Sequence, residues 1–160
     1  LGIIVGVILF TRKRNIKTLF FLDIIACVAP IGIFFGRIAN FINSELYGYP
    51  SEILWSVIFP KVDDLSRHPS QIYEALLEGV LLFIILNSLN FRKKIKDGWC
   101  SSLFLIFYGL FRVVSETFRE PDEQIGLIFN LFSMGTVLSI LMILTGFFLL
   151  IKIKKYESDR

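Results

Sequence analysis

Three short strings in this 160-residue chain bring together side chains able to hold an anion and move a proton. The first is Gly36-Arg37-Ile38-Ala39-Asn40-Phe41-Ile42-Asn43-Ser44-Glu45, with Gly48 after it. Arg37, Asn40, Asn43 and Glu45 supply an arginine, two amides and a carboxylate within nine residues, a set suited to a phosphate and a polyol together. Arginine suits phosphate because its planar fork donates parallel hydrogen bonds. If the helix before it continues, Arg37, Asn40 and Ser44 share one face. The competing reading is a helix end with solvated polar groups. The second string is Arg67-His68-Pro69-Ser70-Gln71-Ile72-Tyr73-Glu74. Ser70 reads as an N-cap and Glu74 as a first-turn acid, so capping alone accounts for both. His68, the single histidine, is either a proton acceptor or a surface side chain. The third string is Tyr108-Gly109-Leu110-Phe111-Arg112-Val113-Val114-Ser115-Glu116, then Arg119. Tyr108, Arg112 and Glu116 recur every four residues and form one polar stripe, in which Glu116 can bridge Arg112. The alternatives are a structural ion pair and a site in which Glu116, its acidity weakened by apolar surroundings, acts as a base.

What must position these strings is a membrane bundle. The chain is 54% hydrophobic, with 17 phenylalanines and only 19% charged residues. Soluble domains average roughly 45–50% apolar and about 25% charged. Apolar runs at about Thr18–Phe35, Ile72–Phe91, Trp99–Phe118 and Ile125–Ile153 approach the ~20 residues that span hydrocarbon. Backbone in lipid must satisfy itself, so each run is helical. The opening run, Leu1–Phe10, is half that length and has its basic residues after it, which reads as a cut helix rather than a leader. The expectation is an all-α polytopic bundle: about four full transmembrane helices plus one truncated at the N-terminus. It forms a single transmembrane domain over residues 1–160, with a partly helical outer-face loop at about 36–71. Arg112 then lies inside an apolar helix, where a lone charge near mid-bilayer costs roughly 2.5–3.5 kcal/mol on insertion scales, so it must pair or face a polar cavity. Asp23, near the start of its helix, reads as an interfacial or helix-terminal acid.

Charge distribution sets the orientation. Arg12-Lys13-Arg14 with Lys17, Arg92-Lys93-Lys94 with Lys96, and Lys152 with Lys154-Lys155 all fall on one side when spans are counted. Short loops rich in Lys and Arg stay cytoplasmic, which puts the C-terminus there and the three strings on the outer face. Tyr47, Tyr49, Trp55 and Phe59 suggest that part of the outer loop lies at headgroup level. A net charge of +3 gives nucleic-acid binding no support, and Cys27 and Cys100 with one histidine give neither a disulfide framework nor a zinc site. They read as packed or lipid-facing thiols.

Taken together and in order, these strings resemble the prolipoprotein diacylglyceryl transferase family. The resemblance runs over nearly the whole chain: Gly36 to Glu45 with Gly48, Arg67 to Ala75, and Tyr108 to Arg112 followed by Glu116 and Phe118-Arg119-Glu120-Pro121-Asp122. It implies a seven-helix enzyme of the bacterial inner membrane, multi-pass, with its active site toward the periplasm. That enzyme moves the diacylglyceryl group of phosphatidylglycerol to the lipobox cysteine thiol of a prolipoprotein signal peptide, releasing glycerol 1-phosphate. No metal and no cofactor is implied; the partners are phosphatidylglycerol, the prolipoprotein and membrane lipids. By resemblance Arg37 binds the headgroup, Arg112 is the second essential arginine, and Asn40, Glu45, Gly48, Tyr108 and Glu116 line the site. His68 and Glu116 are the candidate bases. The family's His-Gly-Gly string would end just before Leu1-Gly2, so the chain is expected to be the C-terminal two-thirds of such an enzyme. Two other readings stand beside it: an inactive fragment or lipid-binding subunit, and a small transporter subunit with Arg112 and Glu116 on its path.

Overall fold

A computed structural model of the chain describes residues 2–90, 96–121, 127–128 and 132–158. Apolar runs become helices throughout. α1 (Gly2–Arg14) turns tightly into α2 (Thr18–Asn43), with Asn15 at a positive φ of 54° and Thr11 and Thr18 hydroxyls 2.9 Å apart. Asn is among the few residues that accept that conformation cheaply. α3 (Ser70–Glu74), a π-helical segment (Ala75–Leu81) and α4 (Leu82–Asn90) follow, then α5 (Trp99–Glu116) and α6 (Met134–Ser158). Four helical stretches are long and apolar enough to cross a membrane: Thr18–Asn43, Ser70–Leu89, Trp99–Glu116 and Met134–Lys155. The chain is an all-α polytopic membrane protein.

The bundle core is small. Ala26, Cys27, Leu82, Leu86 and Cys100 are buried at its centre, with Phe104, Phe107 and Phe111 packed against them. Both cysteines are free, packed thiols. α5 and α6 approach most closely, through small residues. A Cβ on Gly109 would stand 2.8 Å from the Ser139 carbonyl oxygen, and one on Gly146 the same distance from that of Ser102. Small residues at helix contacts let backbones meet where the apolar solvent gives no hydrophobic drive. Asp23 crosses from α2 to the start of α5, accepting from the Gly98 and Ser101 amides at 2.6 and 2.7 Å. A carboxylate there satisfies otherwise unpaired amides and meets the positive end of the helix dipole.

The three basic segments gather at one end as far as they are described. Lys17 pairs with Asp97 at 3.0 Å, and Gly98 packs against Leu19 and Ile153. Arg92, Lys93 and Lys94 lie outside the described residues, as do Asp122, Glu123 and Gln124 of the other end.

Several boundaries differ from expectation. α2 runs on to Asn43, two turns beyond Phe35, because Arg37 and Asn40 find partners there. The outer segment is therefore residues 44–69, and it contains no helix: β1 (Val57–Ile58) pairs antiparallel with β2 (Ser66–Arg67). In the last apolar run Ile125 and Gly126 lie outside the described residues. β3 (Leu127–Ile128) pairs with β4 (Phe132–Ser133), and the helix starts only at Met134. Short apolar runs do not distinguish strand from helix. Ser70 does not cap α3; the helix begins with it, and its hydroxyl donates instead to the Leu46 carbonyl at 2.9 Å.

Candidate active site

At the end of the bundle opposite Lys17 and Asp97, α2, α3 with its π-helical continuation, and α5 each deliver charged side chains to one point. Arg37 comes from α2, Glu74 and Glu78 from the middle rod, and Arg112 and Glu116 from α5. Arg37 Nε lies 3.1 Å from Glu74 Oε2, and its Nη2 lies 3.2 Å from Glu78 Oε2. Arg112 Nη1 bonds Glu74 Oε1 and stands 3.6 Å from Glu78 Oε1; its Nη2 reaches Glu116 Oε2 at 2.7 Å. Both middle carboxylates are fully buried, whereas Arg37 and Glu116 keep 16% and 11% of their side chains exposed. Buried charge survives in such a setting only when paired and hydrogen-bonded. The expected Arg112–Glu116 bridge on one helix face is present. Tyr108, one turn earlier on α5, stacks on Phe104 at 5.5 Å and lies within electrostatic reach of Arg37, Arg112 and Glu78.

Asn40 and Glu45 close the end of α2. The Asn40 amide donates to Glu45 Oε2 at 2.9 Å, and the Glu45 backbone N–H returns to the Asn40 carbonyl at 2.9 Å. Ser44 between them adopts φ 62°, the left-handed turn that ends many helices. Asn43 sits exposed on the last helical residue. The turn is stitched to α3 by Gln71, whose amide donates to the Glu45 carbonyl at 2.6 Å.

Gly48 stands where backbones cross. Its N–H donates to the His68 carbonyl at 3.0 Å, and a Cβ there would meet the Phe118 and His68 carbonyl oxygens at 2.5 and 2.6 Å. Only glycine fits. His68 joins an aromatic cluster: its Nδ1 is 3.1 Å from the Tyr73 hydroxyl, and its ring is 5.3 Å from that of Phe118. Trp55 also donates to the Tyr73 hydroxyl, at 2.8 Å. Arg67 fastens the outer segment. It holds Asp63 at 2.5 Å, bonds Glu120, donates to the Gly48 carbonyl at 3.1 Å and lies over the Tyr47 ring at 4.8 Å. The hydrogen bonds from Arg67 hold the Asp63 carboxyl below the usual carboxylate range, and the same contact raises the Arg67 guanidinium.

Of the expected site residues, Arg37, Arg112, Glu116 and Tyr108 come together. Asn40, Glu45 and Gly48 shape the turn and backbone crossing that follow Arg37. His68 sits in the aromatic cluster beside them. Sequence reasoning missed the anchors of the arginines. Glu74 was read as a first-turn acid and Glu78 was not singled out. The signal was available: Gln71, Glu74 and Glu78 recur at i, i+3, i+7, one face of a helix that is otherwise apolar.

A family model described as prolipoprotein diacylglyceryl transferase matches residues 1–152. The chain belongs to this family. A relative from Ehrlichia canis (strain Jake), named phosphatidylglycerol–prolipoprotein diacylglyceryl transferase, is 53% identical over 161 residues, covering 98% of this chain and 61% of its own. Relatives of the same name from Rickettsia bellii (strain OSU 85-389) and Rickettsia felis (strain ATCC VR-1525 / URRWXCal2) are 50% and 52% identical over 154 and 152 residues. Those alignments cover 95% and 94% of this chain and 59% of each relative. The chain thus spans about three-fifths of the length of these curated relatives.

Proposed function

We propose that this chain carries the headgroup-binding part of an enzyme that transfers the diacylglyceryl group of phosphatidylglycerol to a prolipoprotein cysteine. The observation that carries the reading is the meeting of Arg37 and Arg112, from two different membrane helices, at the outer end of the bundle. A phosphodiester headgroup is the ligand such a pair suits. In the reaction a cysteine thiolate attacks the carbon of the diacylglyceryl group that bears the phosphate. The S–C bond forms, the C–O bond breaks, and glycerol 1-phosphate departs with one more negative charge. Fixed guanidiniums in a water-poor site stabilise that charge as it develops, with little reorganisation. The thiol must first lose its proton, since thiolate is the nucleophile. Glu116, partly exposed beside Arg112, and His68, beside the Tyr73 hydroxyl, are the acceptors on this chain. Asn40, Asn43, Glu45 and Gly48 frame the glycerol-facing side. The basic end faces the cytoplasm of a bacterial inner membrane, and the arginines face the periplasm. The products need no metal or cofactor chemistry.

The test is transfer to a synthetic lipobox peptide, using the protein expressed from its whole reading frame in liposomes. Phosphatidylglycerol should support a mass gain of one diacylglyceryl group on the cysteine, and a Cys→Ser peptide should gain nothing. Lipid binding without transfer would point to the non-catalytic reading. Solute flux without peptide would point to the transporter.

A further inference from the structure

Glu78 is the side chain whose placement is least explained by the groups already assigned. It lies in the π-helical segment, is fully buried, and presents one oxygen to each arginine. Oε2 accepts from Arg37 Nη2 at 3.2 Å; Oε1 faces Arg112 Nη1 at 3.6 Å and accepts from the Ser115 hydroxyl at 3.2 Å. One residue later Gly79 lets the rod press against α2, where a Cβ would stand 2.7 Å from that of Phe34. Short π-helical turns are uncommon and concentrate at functional sites. Glu74 also touches both arginines, but from the turn before. Two like-charged guanidiniums repel, and a single carboxylate between them sets neither their separation nor their tilt. A second carboxylate, anchored by Ser115 and by the close rod–α2 approach, fixes both.

We propose that Glu78 is a positioning residue that fixes Arg37 and Arg112 relative to one another without itself touching the lipid. This rests on the transferase reading above. It implies that Glu78 acts on the charge-developing step more than on lipid capture. Glu78→Gln keeps the shape but offers an amide N–H₂ where an acceptor is needed. Glu78→Asp keeps the charge on a shorter arm.

The experiment compares the full-length protein with both variants, following peptide transfer against the phosphatidylglycerol fraction of the liposome. Spin labels on the exposed Phe35 and Leu110 positions of α2 and α5 report the interhelix distance. Glu78→Gln should lower kcat at least tenfold, with KM for lipid changed less than threefold. The interhelix distance distribution should broaden, and Glu78→Asp should recover part of both. A kcat for Glu78→Gln within twofold of wild type, or Asp no better than Gln, overturns the proposal. If the wild-type protein transfers nothing, the transferase reading fails. The spin-label measurement then decides the positioning role alone, and an unchanged distribution in Glu78→Gln refutes it.

Discussion

Removing Arg112 separates catalytic from structural roles most sharply. Its side chain is 9% exposed and serves Glu74, Glu78 and Glu116 together. In Arg112→Ala, the fully buried Glu74 and Glu78 keep Arg37 as the remaining ion partner in the cluster, at 3.1 and 3.2 Å. Breaking a buried pair by deleting one partner costs about 3–5 kcal/mol. Because Arg37 remains as a partner to both, the lower end, about 3 kcal/mol, is expected. Turnover should fall further than stability explains, because losing one preorganised donor to a developing anion costs roughly 10²–10³-fold in kcat. Arg112→Lys keeps the charge but replaces the fork with one ammonium, which cannot span Glu74 and Glu116 at once. It should stay close to wild type in stability and still lose most turnover. Adding Glu74→Gln to Arg112→Ala should restore stability without restoring transfer, since contacting residues couple by about 0.5–3 kcal/mol. Peptide transfer in phosphatidylglycerol liposomes, read beside denaturant unfolding in detergent, measures both quantities. An Arg112→Ala protein that is folded and within tenfold of wild-type kcat/KM would refute the assignment.

Gly48→Ala should destabilise the docked outer segment by about 1–3 kcal/mol, because the new methyl group meets two backbone carbonyls that cannot swing aside; protease cleavage between residues 44 and 69 should rise. The Asp63 carboxyl titrates below its ordinary 3.8 in the folded protein, so its contribution is present above that value and is lost as pH falls through the folded one. Arg67, raised above the guanidinium range, keeps its contribution at every physiological pH. Hydrogen exchange at the His68 and Gly48 amides, corrected for intrinsic rate, should thus be flat from neutral down to mildly acidic pH and accelerate only in strong acid; Asp63→Asn should abolish that acid step. Glu116→Gln should lower KM for phosphatidylglycerol while lowering kcat, since it removes a competing anion and a proton acceptor together; a raised KM with unchanged kcat would contradict both roles.

The spans were legible because hydropathy over some twenty residues is an averaged signal, and α5 and the Ser70–Leu89 rod follow it closely. The stripe from Tyr108 to Glu116 was legible because helical spacing is fixed once the helix is granted. What escaped was set by tertiary context. Ser70 has the composition of an N-cap, yet the chain at Leu46 comes close enough to take its hydroxyl. Asp23 reads as an interfacial acid, and only the neighbouring helix start makes it a cap for α5. Leu127–Ile128 and Phe132–Ser133 lie in a run apolar enough for a helix, but they pair as strands. Glu78 was overlooked because one acid in an apolar run reads as a tolerated exception, when its cost in lipid should have required a partner by name.

Charge balance at the cluster constrains how an anionic headgroup can enter. Arg37 and Arg112 face Glu74, Glu78 and Glu116, so with every carboxylate ionised the group is one charge negative before any phosphate arrives. A phosphodiester adds another. Either a proton is taken up or one carboxylate gives way. Glu74 and Glu78 are fully enclosed and each touches both arginines, so moving either would undo the pair itself. Glu116 touches Arg112 and keeps an exposed edge. On its other side a Cβ at Gly135 would lie 2.9 Å from its carboxylate, so α6 blocks retreat in that direction. A phosphodiester bound as proposed would compete with Glu116 for Arg112 Nη2. Glu116 is the one acid of the three whose displacement leaves both arginines anchored, through Glu74 and Glu78.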